Sequence, residues 1–234
     1  MGNVFRFKQF EVNQEGCAMR INTDGVLLAA LANPAESSRV LDIGTGTGVI
    51  AMMMAQRFPH GVIDAVEIDV SAAITAGANF KASQFAERMQ VFAADVGDYD
   101  AAYKYDLIIS NPPFFLNDLK NPESRKRLAR HAAGDFYGKL VLKAAELLSD
   151  AGEFWLILPI KSADMLVFIA KEAGLSMSRE ISICSDITKP VIRKILVFRR
   201  NVGELKRELF YIYESQGIYT DAYKSLLKDF FLAF

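Results

Sequence analysis

Apolar residues along this chain alternate between two rhythms. Short runs at 39–43, 62–66, 90–94, 105–110 and 153–158 have the length and apolar content of strands buried on both faces. Between them lie stretches that predict helices. Residues 49–57 are apolar at nearly every position, and 71–85 is alanine-rich with Ser71 as a candidate cap. A further helix at 138–148 ends near Gly152, and one at 163–173 is stopped by Gly174. Repeated strand–helix alternation requires parallel strands joined by right-handed crossovers. The rhythm changes near the end, where 178–184 and 191–200 are β-rich and joined by a connection holding Lys189 and Pro190. That connection is too short for a helix, so the two runs should pair as an antiparallel hairpin. Residues 220–234 read as an amphipathic helix docking its aromatics on the body. The expected architecture is α/β: a doubly wound, mainly parallel sheet of seven strands with one antiparallel strand at its edge. No repeat or linker interrupts residues 1–234, which read as one domain, a segment 1–36 preceding a core 37–234.

Composition narrows the class. The chain has 234 residues, 51% apolar and 24% charged, ordinary values for a soluble domain. No apolar run reaches the ~18 residues that span a bilayer. The start lacks the apolar stretch of a signal peptide, so a cytoplasmic protein is expected. Two cysteines, Cys17 and Cys184, are too few for a zinc site; both are expected to be buried small apolar residues, and no metal is expected. His60 and His131 suggest no role. The net charge of −1 hides an uneven distribution. Residues 61–110 carry eight acidic and three basic side chains, whereas 120–131 carry five basic and one acidic, and 186–207 seven basic and two acidic. Local positive patches on a neutral chain suit a protein that grips nucleic acid on one face.

The segment from Leu41 to Gly48, LDIGTGTG, lies where a strand ends and a helix begins. Glycines there let the backbone turn sharply and a ligand approach the main chain. Gly44, Gly46 and Gly48 do not match a dinucleotide fingerprint, whose third glycine falls three positions after the second; Val49 stands there. Asp42, entering the turn, repels phosphate but can accept from the ammonium group of a methionine moiety. Glu67 ends the next strand, about twenty residues on, where a carboxylate can accept both hydroxyls of a ribose. Asp95 ends the strand after that, placed to accept from an adenine amine, and Asn111 follows the next. In a doubly wound sheet these carboxyl ends line the ligand crevice.

Asn111-Pro112-Pro113-Phe114 carries the most chemical information. The nitrogen of an exocyclic amine is a poor nucleophile because its lone pair is delocalised into a π-system. Two acceptors on its N–H bonds localise that lone pair. Asn111 offers a side-chain oxygen and Pro112 a backbone carbonyl, while the double proline stiffens the loop. Phe114 offers a flat face for a base. Oriented acceptors stabilise the positive charge that develops on nitrogen more than they stabilise the ground state.

Taken together, the glycine turn, Glu67, Asp95 and the Asn-Pro-Pro-Phe corner resemble the class I methyltransferases that act on exocyclic amines. Both ends of the chain narrow the likeness. Residues 7–12, 17–20 and 23–28 (FKQFEV, CAMR and TDGVLL) and 219–223 (YTDAY) resemble the YfiC-type valine-tRNA adenine-N6 methyltransferases, and the likeness extends over essentially the whole chain. The resemblance implies a Rossmann-like fold and S-adenosylmethionine as cofactor. It also implies methyl transfer to N6 of the adenosine 3′ of the anticodon of a valine tRNA. By the same analogy Thr23 and its neighbours should close over the methionine end of the cofactor. Lys120, Arg125, Lys126, Arg127 and Arg130 follow the reactive corner and are candidates to grip RNA phosphates. Arg193, Lys194, Arg199 and Arg200 on the hairpin are candidates to reach the stem. Three alternatives remain: a glutamine methyltransferase acting on a protein, a guanine-N2 methyltransferase acting on ribosomal RNA, and a nucleotide-binding module without transfer activity.

Overall fold

The computed structural model describes residues 3–33, 39–113, 124–201 and 203–234, the side chains of 124–133 excepted. The chain opens with a hairpin of β1 (Val4–Arg6) and β2 (Glu11–Asn13), followed by α1 (Thr23–Leu31). The alternating core then runs β3 (Arg39–Ile43), α2 (Val49–Arg57), β4 (Val62–Glu67), α3 (Val70–Ala82), β5 (Met89–Ala93) and β6 (Tyr105–Ser110). It continues through α4 (Ser124–Leu147), β7 (Leu148–Leu158), α5 (Ile160–Glu172), β8 (Ser176–Cys184), β9 (Val191–Arg199) and β10 (Lys206–Tyr211). Two short strands, β11 (Tyr213–Ser215) and β12 (Ile218–Tyr219), and α6 (Asp221–Leu227) complete it.

The central sheet has the order β10-β8-β9-β7-β6-β3-β4-β5. All neighbours are parallel except where β9 meets β7 and β8. The doubly wound, mainly parallel architecture expected from the alternation is therefore present, with two differences of detail. The sheet has eight strands rather than seven, because β10 adds to β8. Its sequence, KRELFY, is exposed along most of its length and lacks the apolar run that marks a strand covered on both faces. Second, the reversed strand β9 lies two strands in from the edge. Residues 195–198 of β9 are fully buried, so the strand needs a neighbour on each side, and β8 with β10 covers it.

Alternating side chains along the strands feed two cores. One holds Val40, Ile63, Leu107, Ile109 and Trp155 under α1, α2 and α6. The other holds Leu41, Ile108, Phe154 and Leu156 under α4 and α5. Two arginines close helix ends that would otherwise leave carbonyls unpaired. Arg57 donates to the carbonyls of Ala29, Ala30 and Ala32 at the end of α1. Arg88 donates to those of Ala55 in the last turn of α2 and of Phe58 and Gly61 just after it. The cap of α3 is Asp69 rather than Ser71: its Oδ1 accepts from the main-chain N–H of Ser71 at 2.8 Å and of Ala72 at 3.0 Å. Helix α6 is shorter than the expected terminal helix, ending at Leu227. Its aromatics do dock: Tyr213, Tyr219 and Tyr223 stack with centroids 4.8 and 4.7 Å apart, and Phe231 meets Phe7 at 5.7 Å. Among the described residues no helix is long and apolar enough to cross a membrane.

Candidate active site

A cavity of about 580 Å³ opens at the carboxyl ends of β3, β4, β5 and β6, the crevice that a doubly wound sheet reserves for ligands. Its floor is the turn 44–47. Gly44 and Gly46 have φ of 73° and 55°, a left-handed backbone that disfavours side chains. A Cβ built on either would meet no atom within 4 Å, so a ligand can lie directly against the main chain. The turn is pinned from below: the N–H of Gly44 donates to the carbonyl of Val66 at 2.8 Å. Glu67 pins it from the side, its Oε2 accepting from the N–H of Gly46 at 2.9 Å and its Oε1 from that of Asp69 at 2.9 Å. Each carboxylate oxygen keeps a second lone pair, so Glu67 can also receive hydroxyl groups from the cavity it lines.

The two other candidate members of the turn lie behind the cavity wall rather than on it. Asp42 is fully buried beneath the turn, its Oδ2 accepting from the hydroxyl of Thr45 at 2.6 Å and the N–H of Ala51 at 3.2 Å. It shapes the loop and does not line the cavity, contrary to the ammonium contact expected of it. Its Oδ1 is buried with no hydrogen-bond partner. Burial raises its pKa to about 7 from an ordinary 3.8, although Thr45 and Ala51 pull the other way. The folded state thus holds this proton more tightly than the unfolded chain. The associated stability is full below about pH 4 and is lost as pH rises toward 7. Asp42→Asn, neutral throughout, should gain in melting temperature relative to the native protein between pH 5 and pH 8; a constant difference across that range contradicts the assignment. Gly48 is also absent from the wall. Its φ of 84° opens α2, and its α-carbon faces Phe80.

Asp95 lines the cavity at the end of β5. Its Oδ1 accepts from the N–H of Gly97 at 2.7 Å in a local turn, which orients the carboxylate. Ile68 and Val96 line the same wall, each following an acid in sequence. Sequence reasoning named the acids and passed over these aliphatic neighbours, though a flat heterocycle needs apolar walls as much as a polar edge. Phe136 and Lys139 of α4 also line the cavity and were not anticipated.

A segment from Cys17 to Asn22 covers the cavity. Buried Asn79 of α3 anchors the chain leading into it: its Oδ1 accepts from the N–H of Asn13 at 2.9 Å, and its Nδ2 donates to the carbonyls of Asn13 and Thr47, both at 2.8 Å. One amide thereby ties the amino-terminal segment to the glycine turn. Gln14 Oε1 accepts from the N–H of Ile21 at 2.9 Å and closes the loop. Cys17 is partly exposed on the cavity wall, not buried as expected; Cys184 is buried. Thr23 is exposed and does not line the cavity, whereas its neighbours Asn22 and Gly25 do. Asn22 caps α1 by accepting from the N–H of Gly25 at 3.0 Å.

Asn111, Pro112 and Pro113 complete the wall at the end of β6. Ser110 fixes the strand end, its hydroxyl donating to the carbonyl of Ile43 at 2.8 Å. Gly25 packs so closely that a Cβ there would stand 3.5 Å from Nδ2 of Asn111. Oδ1 of Asn111 is buried with no hydrogen-bond partner. A buried acceptor left unpaired is costly, and the residue that carries it lines a cavity large enough for a nucleoside. Phe114 and Lys120 lie outside the described residues. Arg125, Lys126, Arg127 and Arg130 lie in the first turns of α4, their side chains outside the described residues. Four of the hairpin cations have partners within the fold while keeping part of their surface exposed. Arg193 Nε donates to Asp24 Oδ2 at 2.7 Å, and Lys194 lies 3.4 Å from Glu180 and 3.7 Å from Asp164. Arg199 pairs with Glu153, and Arg200 donates to the carbonyl of Ala145. Among the described residues no cluster of three metal-ligating side chains is present.

A family model described as methyltransferase small domain matches residues 21–165. A tRNA1(Val) (adenine(37)-N6)-methyltransferase of Pedobacter heparinus is 54% identical over 234 residues, covering 100% of both chains. One of Dyadobacter fermentans is 37% identical over 236 residues, covering 98% of each. A predicted O-methyltransferase of Agrobacterium tumefaciens superimposes with a TM-score of 0.66 at 19% identity, covering 88% of this chain and 96% of the other. A TehB-like SAM-dependent methyltransferase of Corynebacterium glutamicum superimposes at 0.53 and 16%, covering 77% and 89%. At these identities the structural likeness concerns the fold.

Proposed function

The chain belongs to the methyltransferase small domain family, and within it to the tRNA1(Val) (adenine(37)-N6)-methyltransferases, and from that premise we propose how its crevice performs the transfer. The enzyme is a methyltransferase that uses S-adenosylmethionine, and its substrate is the N6 amine of an adenosine in tRNA, as in its relatives. The finer assignment, the adenosine 3′ of the anticodon in a valine tRNA, follows the names of those relatives.

The cavity suits this cofactor on three counts: the open main chain at Gly44 and Gly46, the carboxylate of Glu67 on its wall for ribose hydroxyls, and Asp95 beside the apolar Ile68 and Val96. When bound, the cofactor supplies a methyl group on an electrophilic sulfonium. The protein's part is to hold and prepare the amine. Asn111 Oδ1 accepts one N–H of the amine and the carbonyl of Pro112 the other, which turns the nitrogen lone pair out of conjugation. As positive charge grows on nitrogen, these fixed acceptors stabilise it without reorganising. No strong base is required before transfer, because the methylated nitrogen is acidic and releases its proton afterwards. Alignment of nitrogen, methyl and sulfur contributes the rest. The basic first turns of α4 follow the reactive corner and supply phosphate contacts without reading sequence.

The observation that carries this reading is that Asn111 lines the cavity and that its side-chain oxygen has no hydrogen-bond partner within the protein. Its test is transfer of a labelled methyl group from S-adenosylmethionine into total tRNA. Counts should be lost to ribonuclease and should reappear as N6-methyladenosine on nucleoside analysis. Counts lost to protease, or recovered as N2-methylguanosine, would replace it with one of the sister activities.

A further inference from the structure

The β8–β9 hairpin reaches well past the reactive corner. Ser110 is in register with Leu156 on β7, and Ile157, the next residue, with Ile195 on β9. Asn111 is therefore level with Ile195. Val191, where β9 begins, lies four residues further in the direction of the cavity mouth, about 13 Å at the rise of a strand. Laterally it is two ladder steps from β6, about 10 Å. The turn 185–190 projects further still.

This arm is stiff. Asp186 Oδ1 accepts from the N–H and the hydroxyl of Thr188, at 2.8 and 2.5 Å, and the N–H of Lys189 donates to the carbonyl of Asp186 at 3.1 Å. The arm is braced on two sides. The carbonyl of Ser185 accepts from the N–H of Tyr213 at 2.8 Å, next to the stacked tyrosines. Arg193 pairs with Asp24, between Asn22 and Gly25 of the cavity roof. Such a braced arm ends in Ile187, 77% exposed, with Thr188, Lys189 and Pro190 also exposed. An isoleucine held out in water on a rigid turn gains nothing for the fold.

Resting on the reading of an RNA substrate, we propose that this tip is the element that holds the anticodon loop open. Ile187 enters the stack at the place left by the extruded adenosine, and Lys189 takes an adjacent phosphate. Enzymes that act on a base must withdraw it from its stack, and apolar wedges between bases are a known way to hold a nucleic acid unstacked. The geometry matches: the tip stands to one side of the corner and above it, roughly where the rest of the loop must lie when one base is in the cavity. The Arg193–Asp24 pair fastens the tip to the roof of the cofactor cavity, which fixes the distance between wedge and reacting nitrogen.

The test is the double variant Ile187→Gly/Lys189→Gln, whose changes lie at exposed tip positions. Expected results are a fall of at least fivefold in kcat/KM for tRNA, with melting temperature and affinity for S-adenosylhomocysteine as in the native enzyme. In tRNA carrying 2-aminopurine at the target position, the fluorescence rise on binding should be lost in Ile187→Gly. A smaller fall, or an undiminished fluorescence rise, overturns the wedge. A native enzyme that methylates no tRNA overturns the RNA reading and the wedge together, so the two failures are distinguishable.

Discussion

Replacing Asn111 by alanine is expected to lower kcat by about 10²–10³-fold, the loss seen when one oriented contact to a developing charge is removed. The expectation follows from where the amide stands. Its Oδ1 is buried and unpaired, so it contributes little to folding, and the variant should be as stable as the native protein or more so. With the cofactor proposed to lie against Gly44, Gly46, Glu67 and Asp95, affinity for S-adenosylhomocysteine should be retained. KM for tRNA should change little, because one hydrogen bond in the ground state is a small part of an RNA interface. A loss confined to kcat identifies a contact made mainly in the transition state. Asn111→Asp keeps an acceptor oxygen in place and should retain more activity than the alanine variant. Should the alanine variant turn over at the native rate, or should its loss lie wholly in cofactor affinity, the amine is held elsewhere.

Much of this was legible from the chain itself, and the exceptions share a cause. Strands β3, β4, β6 and the second half of β7 announce themselves because both of their faces are buried and nearly every residue is apolar; β5, at the sheet edge, is only half-buried, yet its run 91–94 is still apolar. Strand β10 does not, since an edge strand with an exposed face can be as polar as KRELFY. The ends of strands locate Glu67, Asp95 and Asn111, because a doubly wound sheet puts all such ends on one side. Which side chain points into the crevice and which points beneath it is decided by packing. Thus Asp42 was assigned to the ligand and instead holds the turn from below. The hairpin arginines read as RNA contacts because nothing local shows a partner. Asp24, which binds Arg193, is 169 residues away in sequence. Long-range ion pairs of this kind carry no periodic signal.

Among the three glycines of the turn, which look interchangeable in sequence, substitution should have sharply different consequences. At Gly46 (φ 55°) an alanine would meet no atom within 4 Å. Its cost to the fold is the left-handed backbone alone, about 1–2 kcal/mol for an L-residue. Its methyl group would stand in the open space of the cavity proposed to hold the cofactor, so Gly46→Ala should fold and fail to bind S-adenosylhomocysteine. At Gly48 (φ 84°) the same backbone penalty applies, but the new Cβ would lie 2.6 Å from Cε1 of Phe80 and 3.4 Å from Cβ of Ala76. Phe80, on α3, is buried in the core, so its ring can give way only by displacing packed neighbours. Overpacking of this kind adds about 1–3 kcal/mol. At about 2–4 °C per kcal/mol for a chain of this size, Gly48→Ala should melt roughly 10 °C below the native protein. Removing the obstruction should restore part of the loss: Gly48→Ala/Phe80→Leu should be more stable than the sum of the two single changes predicts, the sign of a direct steric coupling. Equal melting temperatures for the alanine variants at 46 and 48, or strictly additive effects at 48 and 80, would mean that Gly48 is not the packing residue of the turn, and that the division between a ligand-facing and a core-facing glycine does not hold.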